Sequence, residues 1–64
     1  MALRDDLQRL TGKPVDQLTA LITIARLPVL RTERIRLLRQ WEQESGRAFD
    51  PRDFARAVDG IPPA

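Results

Sequence analysis

Leu3, Leu7 and Leu10 recur at the i, i+4, i+7 spacing of one helical face, so ALRDDLQRL predicts a first helix with a single leucine stripe. Its charges fall as a helix dipole prefers, with Asp5 and Asp6 early and Arg9 late, and Gly12 is placed to end it. Pro14 suits the first turn of a second helix, in which Val15, Leu18, Leu21, Ile22 and Ala25 form the next amphipathic set. Ala20 and Ile24 extend the apolar surface around its flanks. A strand over LITI would need a partner, and no second alternating run exists to pair with it. A helix apolar nearly all round is either central in its domain or shared with another subunit.

Leu27-Pro28 interrupts the pattern, because proline cannot donate to the preceding turn and biases Leu27 away from helical geometry. The third helix is expected to start at Pro28 as a first-turn proline, or after Thr32 as N-cap, and to run to Ser45 with Gly46 as its stop. On a helical wheel Leu30, Leu37, Leu38 and Trp41 share one arc, which Ile35 widens, while Arg36 and Arg39 lie opposite. The fourth helix has the best-defined start. Asp50 is its N-cap, Pro51 the first helical residue, Asp53 lies three after the cap, and Phe49 is placed to pack on Phe54 as a hydrophobic staple. Gly60 closes it and Pro62-Pro63 prevents continuation.

These elements predict an all-α fold: a compact small helical bundle of three main helices plus a short capped C-terminal helix, one domain over residues 1–61 with a tail at 62–64. The expected core is Leu3, Leu7, Leu10, Leu18, Leu21, Ile22, Ile35, Leu38, Trp41, Phe49, Phe54 and Val58.

At 64 residues, folding removes only roughly 60% of the extended chain's surface from water, so modest stability is expected. A hydrophobic content of 42% is enough to supply one small core and excludes a disordered chain. Cysteine and histidine are both absent, which removes disulfides, thiol chemistry, zinc-finger spacings and the imidazole general base together. A small domain without such staples often borrows core from a partner subunit. No apolar run approaches the roughly 20 residues that span a bilayer, and MALRDDLQRL is acidic and amphipathic where a signal peptide is basic and then apolar. The expected location is cytoplasmic, away from membranes.

Catalysis has little to build on. The carboxylate pairs Asp5-Asp6 and Glu42/Glu44 read as solvated surface, and Gly12, Gly46 and Gly60 each fall at a helix end rather than in a phosphate loop. Four short helices are not expected to enclose a ligand pocket, so no enzymatic activity, metal, cofactor or small-molecule substrate is expected.

The net charge is only +2, but residues 26–39 carry Arg26, Arg31, Arg34, Arg36 and Arg39 against Glu33 alone. One reading makes the second and third helices a helix-turn-helix, with TERIRLLRQW entering the major groove. The arginines scatter in angle, however: Arg36 and Arg39 share a face, Arg31 lies off it and Arg34 falls inside the apolar arc. Nucleic-acid binding through Arg31, Arg34, Arg36 and Arg39 is therefore the runner-up function, beside the plain reading of these arginines as an ordinary solvated face. Trp41, at helical spacing from Leu37 and Leu38, reads as core before it reads as a base-stacking platform.

The favoured expectation is a non-catalytic protein-binding or adaptor module acting through a helical surface. Its basis is a charge order in the third helix, arginine first and Glu42 and Glu44 last, that opposes the helix dipole. An acidic surface, or an antiparallel second copy of this helix, would offset the reversal, and the latter is self-complementary as a two-fold dimer requires. The candidate partner-binding residues are Arg31, Arg34, Arg36, Arg39, Trp41 and Glu42.

The run of a helix ending in WEQESGRAF followed by a short helix resembles an acyl carrier protein. Such carriers hold phosphopantetheine on the serine of an Asp-Ser motif at the start of that helix. The matching stretch here reads LRTER and has no serine, so the resemblance implies no cofactor for this chain.

Overall fold

In the computed structural model, which describes residues 2–63, the chain forms four helices: α1 (Leu3–Thr11), α2 (Gln17–Arg26), α3 (Arg31–Ser45) and α4 (Pro51–Val58). The fold is the expected all-α bundle. Ala64, the last residue of the expected tail, lies outside the described residues.

Local chemistry explains most of the boundaries. Gly12 and Gly46 take left-handed conformations (φ 72° at each) and close α1 and α3 through their own N–H groups, bonded to the carbonyls of Gln8 and Glu42. At α4 the Asp50 carboxylate accepts the N–H groups of Arg52 and Asp53, Pro51 fills the first helical position, and the rings of Phe49 and Phe54 lie 6.5 Å apart. This end matches the expectation in every part.

Two starts differ from it. Pro14 stays outside α2, whose N-cap is Asp16: its carboxylate accepts the Thr19 N–H at 2.8 Å, a bond that a start at Pro14 would forgo. Helix α3 begins at Arg31, between the two expected sites, with Leu30 at its N-cap and no side chain capping it. Leu27 is extended, as a residue before proline prefers, and ends α2.

Packing centres on α2 and α3, which each contact all three other helices, whereas α1 and α4 do not pack on one another. The result is nearly isotropic, 24 × 24 × 23 Å, with a radius of gyration of 10.5 Å. A chain of this length in a compact domain is expected near 10.7 Å, roughly, so no element is splayed away.

The core contains Leu3, Leu7, Leu21, Leu38, Trp41, Phe49 and Val58 as expected, with Ile35 and Phe54 partly buried against it. Leu10 and Leu18 do not belong to it, being 62% and 56% exposed. Leu10 has the correct angle on α1 but lies in its last turn, where its side chain is left uncovered. On α2 the buried set is Ala20, Leu21, Ile24 and Ala25; Leu18, at the edge of that stripe in the first turn, is left uncovered, and Ile22 is only half-buried. Ala20 and Ala57 are wholly inaccessible, because small side chains sit where helix backbones approach most closely. Val15, between α1 and α2, is also buried.

Candidate functional site

Helix α3 carries all the predicted site residues, and its two ends are engaged by the rest of the chain. Arg34 is turned inward. One of its terminal nitrogens donates to the Val58 carbonyl at 3.0 Å; the other donates to the carbonyls of Leu27 (3.0 Å) and Val29 (3.2 Å). The guanidinium thus ties the end of α4 to the α2–α3 turn, at the cost of an Nε that is buried without a partner. Beside it, Arg31 Nε meets the Asp59 carboxylate at 3.3 Å, and both side chains remain mostly exposed.

The glutamates do the reciprocal work. Glu44 accepts the N–H of Leu3, the first residue of α1, at 2.7 Å, supplying the cap that Ala2 does not. Glu42, only 13% exposed, accepts the N–H of Phe49 at 2.8 Å just ahead of α4. Glu44 is exposed as its spacing suggested, whereas Glu42 is largely covered, and both carboxylates are held by backbone N–H groups. The charge order of α3 is therefore matched within the chain: arginines meet the carbonyls and acid at the C-terminal end of α4, and glutamates meet N–H groups that lead into α1 and α4. Hydrogen bonding by Gln40, with the Leu3 N–H adding to it, holds the Glu44 carboxyl below its ordinary pKa.

The other two arginines of the predicted site are also engaged. Arg36 is ion-paired with Glu33, which lowers the carboxyl pKa of Glu33 and raises that of Arg36. Arg39 pairs with Glu42 at 3.1 Å and lies 4.3 Å from the Phe54 ring centroid, linking α3 to α4. Trp41 is 2% exposed, with the Arg4 guanidinium 5.6 Å from its ring centroid. The structure thus brings Arg31 and Arg34 together at one end of α3, Arg39 and Glu42 towards the other, and buries Trp41 between the helices.

A surface cleft lined by Ala2, Arg4, Trp41, Glu44 and Ser45 lies at the α1–α3 junction. Two of its polar groups have internal roles, Glu44 capping α1 and the Ser45 hydroxyl donating to the Trp41 carbonyl at 2.7 Å, while the Trp41 Nε1 is buried without a hydrogen-bond partner among the described residues. Among the described residues no group of three or more potential metal ligands occurs, and no helix is long and apolar enough to cross a membrane.

The residues that sequence reasoning missed are apolar. Leu30 is 77% exposed and Ile61 52%, in addition to Leu10 and Leu18. A wheel drawn through Leu30 as a helical residue places it with Leu37 and Leu38. It sits instead in extended geometry at the N-cap, which points it away from that arc. The available signal was chemical: a leucine immediately before a helix stands where an oxygen-bearing side chain is normally found. No protein-family model, curated protein or solved structure matches the chain, so function is argued from this geometry.

Proposed function

We propose that the protein is a non-catalytic binding module, an adaptor or regulator of the cytoplasm, that engages another protein through its helical surface. The observation that carries this reading is Leu30. A serine, threonine or aspartate at that N-cap would stabilise α3 by about 0.5 to 2 kcal/mol, while an exposed leucine there contributes nothing comparable to the fold. Leu10, Leu18 and Ile61 are exposed as well, in a chain whose core is already filled by other side chains. A second copy of the chain is one partner this reading admits.

Affinity capture from a cell extract tests it, using the wild-type chain beside a variant with serine at positions 10, 18, 30 and 61. Retention of a defined protein by the first and its loss from the second is the expected result. Equal retention by both overturns the reading. So does specific retention of nucleic acid that the serine variant keeps but an Arg36→Ala, Arg39→Ala variant loses. Sedimentation at rising concentration decides the homodimer version, which a monomer at high micromolar concentration rules out.

A further inference from the structure

Two chain segments distant in sequence converge at one end of the molecule. The α2–α3 turn and the residues after α4 are joined by Arg34, which donates to the carbonyls of Leu27, Val29 and Val58, and by the Arg31–Asp59 pair. Gly60 lies beside α2 and α3, where a β-carbon on it would make ordinary contacts with the Ala25 carbonyl (3.6 Å) and the Arg34 guanidinium (3.9 Å). Leu30 and Ile61 therefore emerge at the same end, 77% and 52% exposed, with Pro28 also exposed beside Leu30.

Neither apolar side chain is explained by the local structure around it. Leu30 occupies the uncapped N-cap of α3. Ile61 follows a Schellman turn, in which the Ile61 and Gly60 N–H groups bond the carbonyls of Arg56 and Ala57. The residue at Ile61's place in such a turn usually packs on an apolar residue in the preceding helical turn. Here those positions hold Arg56 and Ala55, both exposed themselves, and Ile61 remains uncovered.

Charge narrows the choice of occupant. Around this end lie Arg31, Arg34, Arg36 and Arg56 against the carboxylates of Asp59 and of Glu33 in the first turn of α3, an excess of +2 (four minus two), with Glu33 paired to Arg36. Among the described residues Arg34 is bonded only to carbonyls and pairs with no acid. The first-turn N–H groups of α3, which no side chain caps, add positive potential at the same place. A two-fold pairing of this surface with itself would set one basic patch against another, which disfavours a second copy. Resting on the binding-module reading above, we propose that this end, centred on Leu30 and Ile61, is a docking site for an acidic amphipathic segment of another protein. Apolar side chains of the segment cover Leu30 and Ile61, and its carboxylates face Arg31, Arg56 and the open turn of α3.

The test is amide NMR of the isotope-labelled chain titrated with three synthetic peptides of equal length. One combines leucine and glutamate in helical repeats, one replaces its glutamates with lysine, and one replaces its leucines with serine. Shifts confined to residues 29–33 and 58–61 are expected with the leucine–glutamate peptide. Affinity should fall on the order of tenfold or more in a Leu30→Ser, Ile61→Ser variant, as for loss of a central interface contact, and should weaken as salt rises. Both substitutions are at exposed positions, and retention of the dispersed amide spectrum confirms folding. Equal binding of the lysine peptide overturns the charge assignment. Shifts mapping to Leu10 and Leu18 overturn the site while leaving the binding-module reading intact. Concentration-dependent self-association lost on Leu30→Ser, or binding to anionic phospholipid vesicles in place of the peptide, overturns the proposal in favour of a second copy or a lipid surface.

Discussion

Arg34 shows how much of a small helical domain can depend on one side chain. It bridges carbonyls in two elements, and hydrogen bonds to charged groups contribute more than neutral ones, so Arg34→Ala is expected to destabilise the protein by roughly 2 to 3 kcal/mol. For a 64-residue chain with a total stability of about 3 to 10 kcal/mol, that is a large fraction. Arg34→Lys should recover less than half, because an ammonium cannot spread its donors over the Val58 carbonyl on one side and those of Leu27 and Val29 on the other. Urea denaturation measures both, and a loss under about 0.5 kcal/mol for the alanine variant, the size of an ordinary surface change, would contradict the clamp. Glu42→Ala should cost about 1 to 3 kcal/mol by leaving the Phe49 N–H without its partner, and Glu42→Gln less, since an amide oxygen can still accept. Sequence alone placed Arg34 within the apolar arc of its helix, which was the visible half of its role. The other half was hidden because the Val58 carbonyl is 24 residues away, and no local pattern reports it.

Elements were legible where their signals are short-range. Asp50, Pro51 and the Phe49–Phe54 staple specify the start of α4 within six residues, and the structure reproduces each part. The start of α3 was less legible because none of its candidate capping side chains is used, and this exception leads to a prediction. Leu30→Ser should raise stability by about 0.5 to 2 kcal/mol by capping α3, while weakening partner binding. A thermal melt that falls on this substitution would show that Leu30 contributes to the fold after all. At the end of α4, Gly60 has φ +80° with ordinary space around a β-carbon, so Gly60→Ala should cost about 1 to 2 kcal/mol through backbone conformation alone. Calorimetry of the two variants should move in opposite directions.

At the scale of the whole molecule the bundle is held by apolar packing and trimmed by carboxylates that bond backbone or arginine. Asp16, bonded by the Thr19 N–H, Glu33, bonded by Arg36, and Glu44, bonded by Gln40 and the Leu3 N–H, all have depressed pKa values. A depressed carboxyl stabilises the folded chain above its unfolded pKa, and that contribution is lost as pH falls through the folded value. Against ordinary values of 3.8 for Asp16 and 4.5 for Glu33 and Glu44, the melting temperature should decline only below about pH 4.5. With neither histidine nor cysteine in the chain, it should be flat from about pH 5.5 to 7, below the range in which an α-amino group titrates. A transition in that window would show a coupling that these groups do not provide. Sequence by itself determined the helices, most of their ends and about half of the core, because periodicity, capping and proline act over a few residues. Only the tertiary structure decided which end of each apolar stripe is covered, leaving Leu10, Leu18, Leu30 and Ile61 in solvent. It also decided that the reversed charges of α3 face the ends of their own neighbours, because burial and ion pairing depend on which elements meet, and that is a property of the packed molecule.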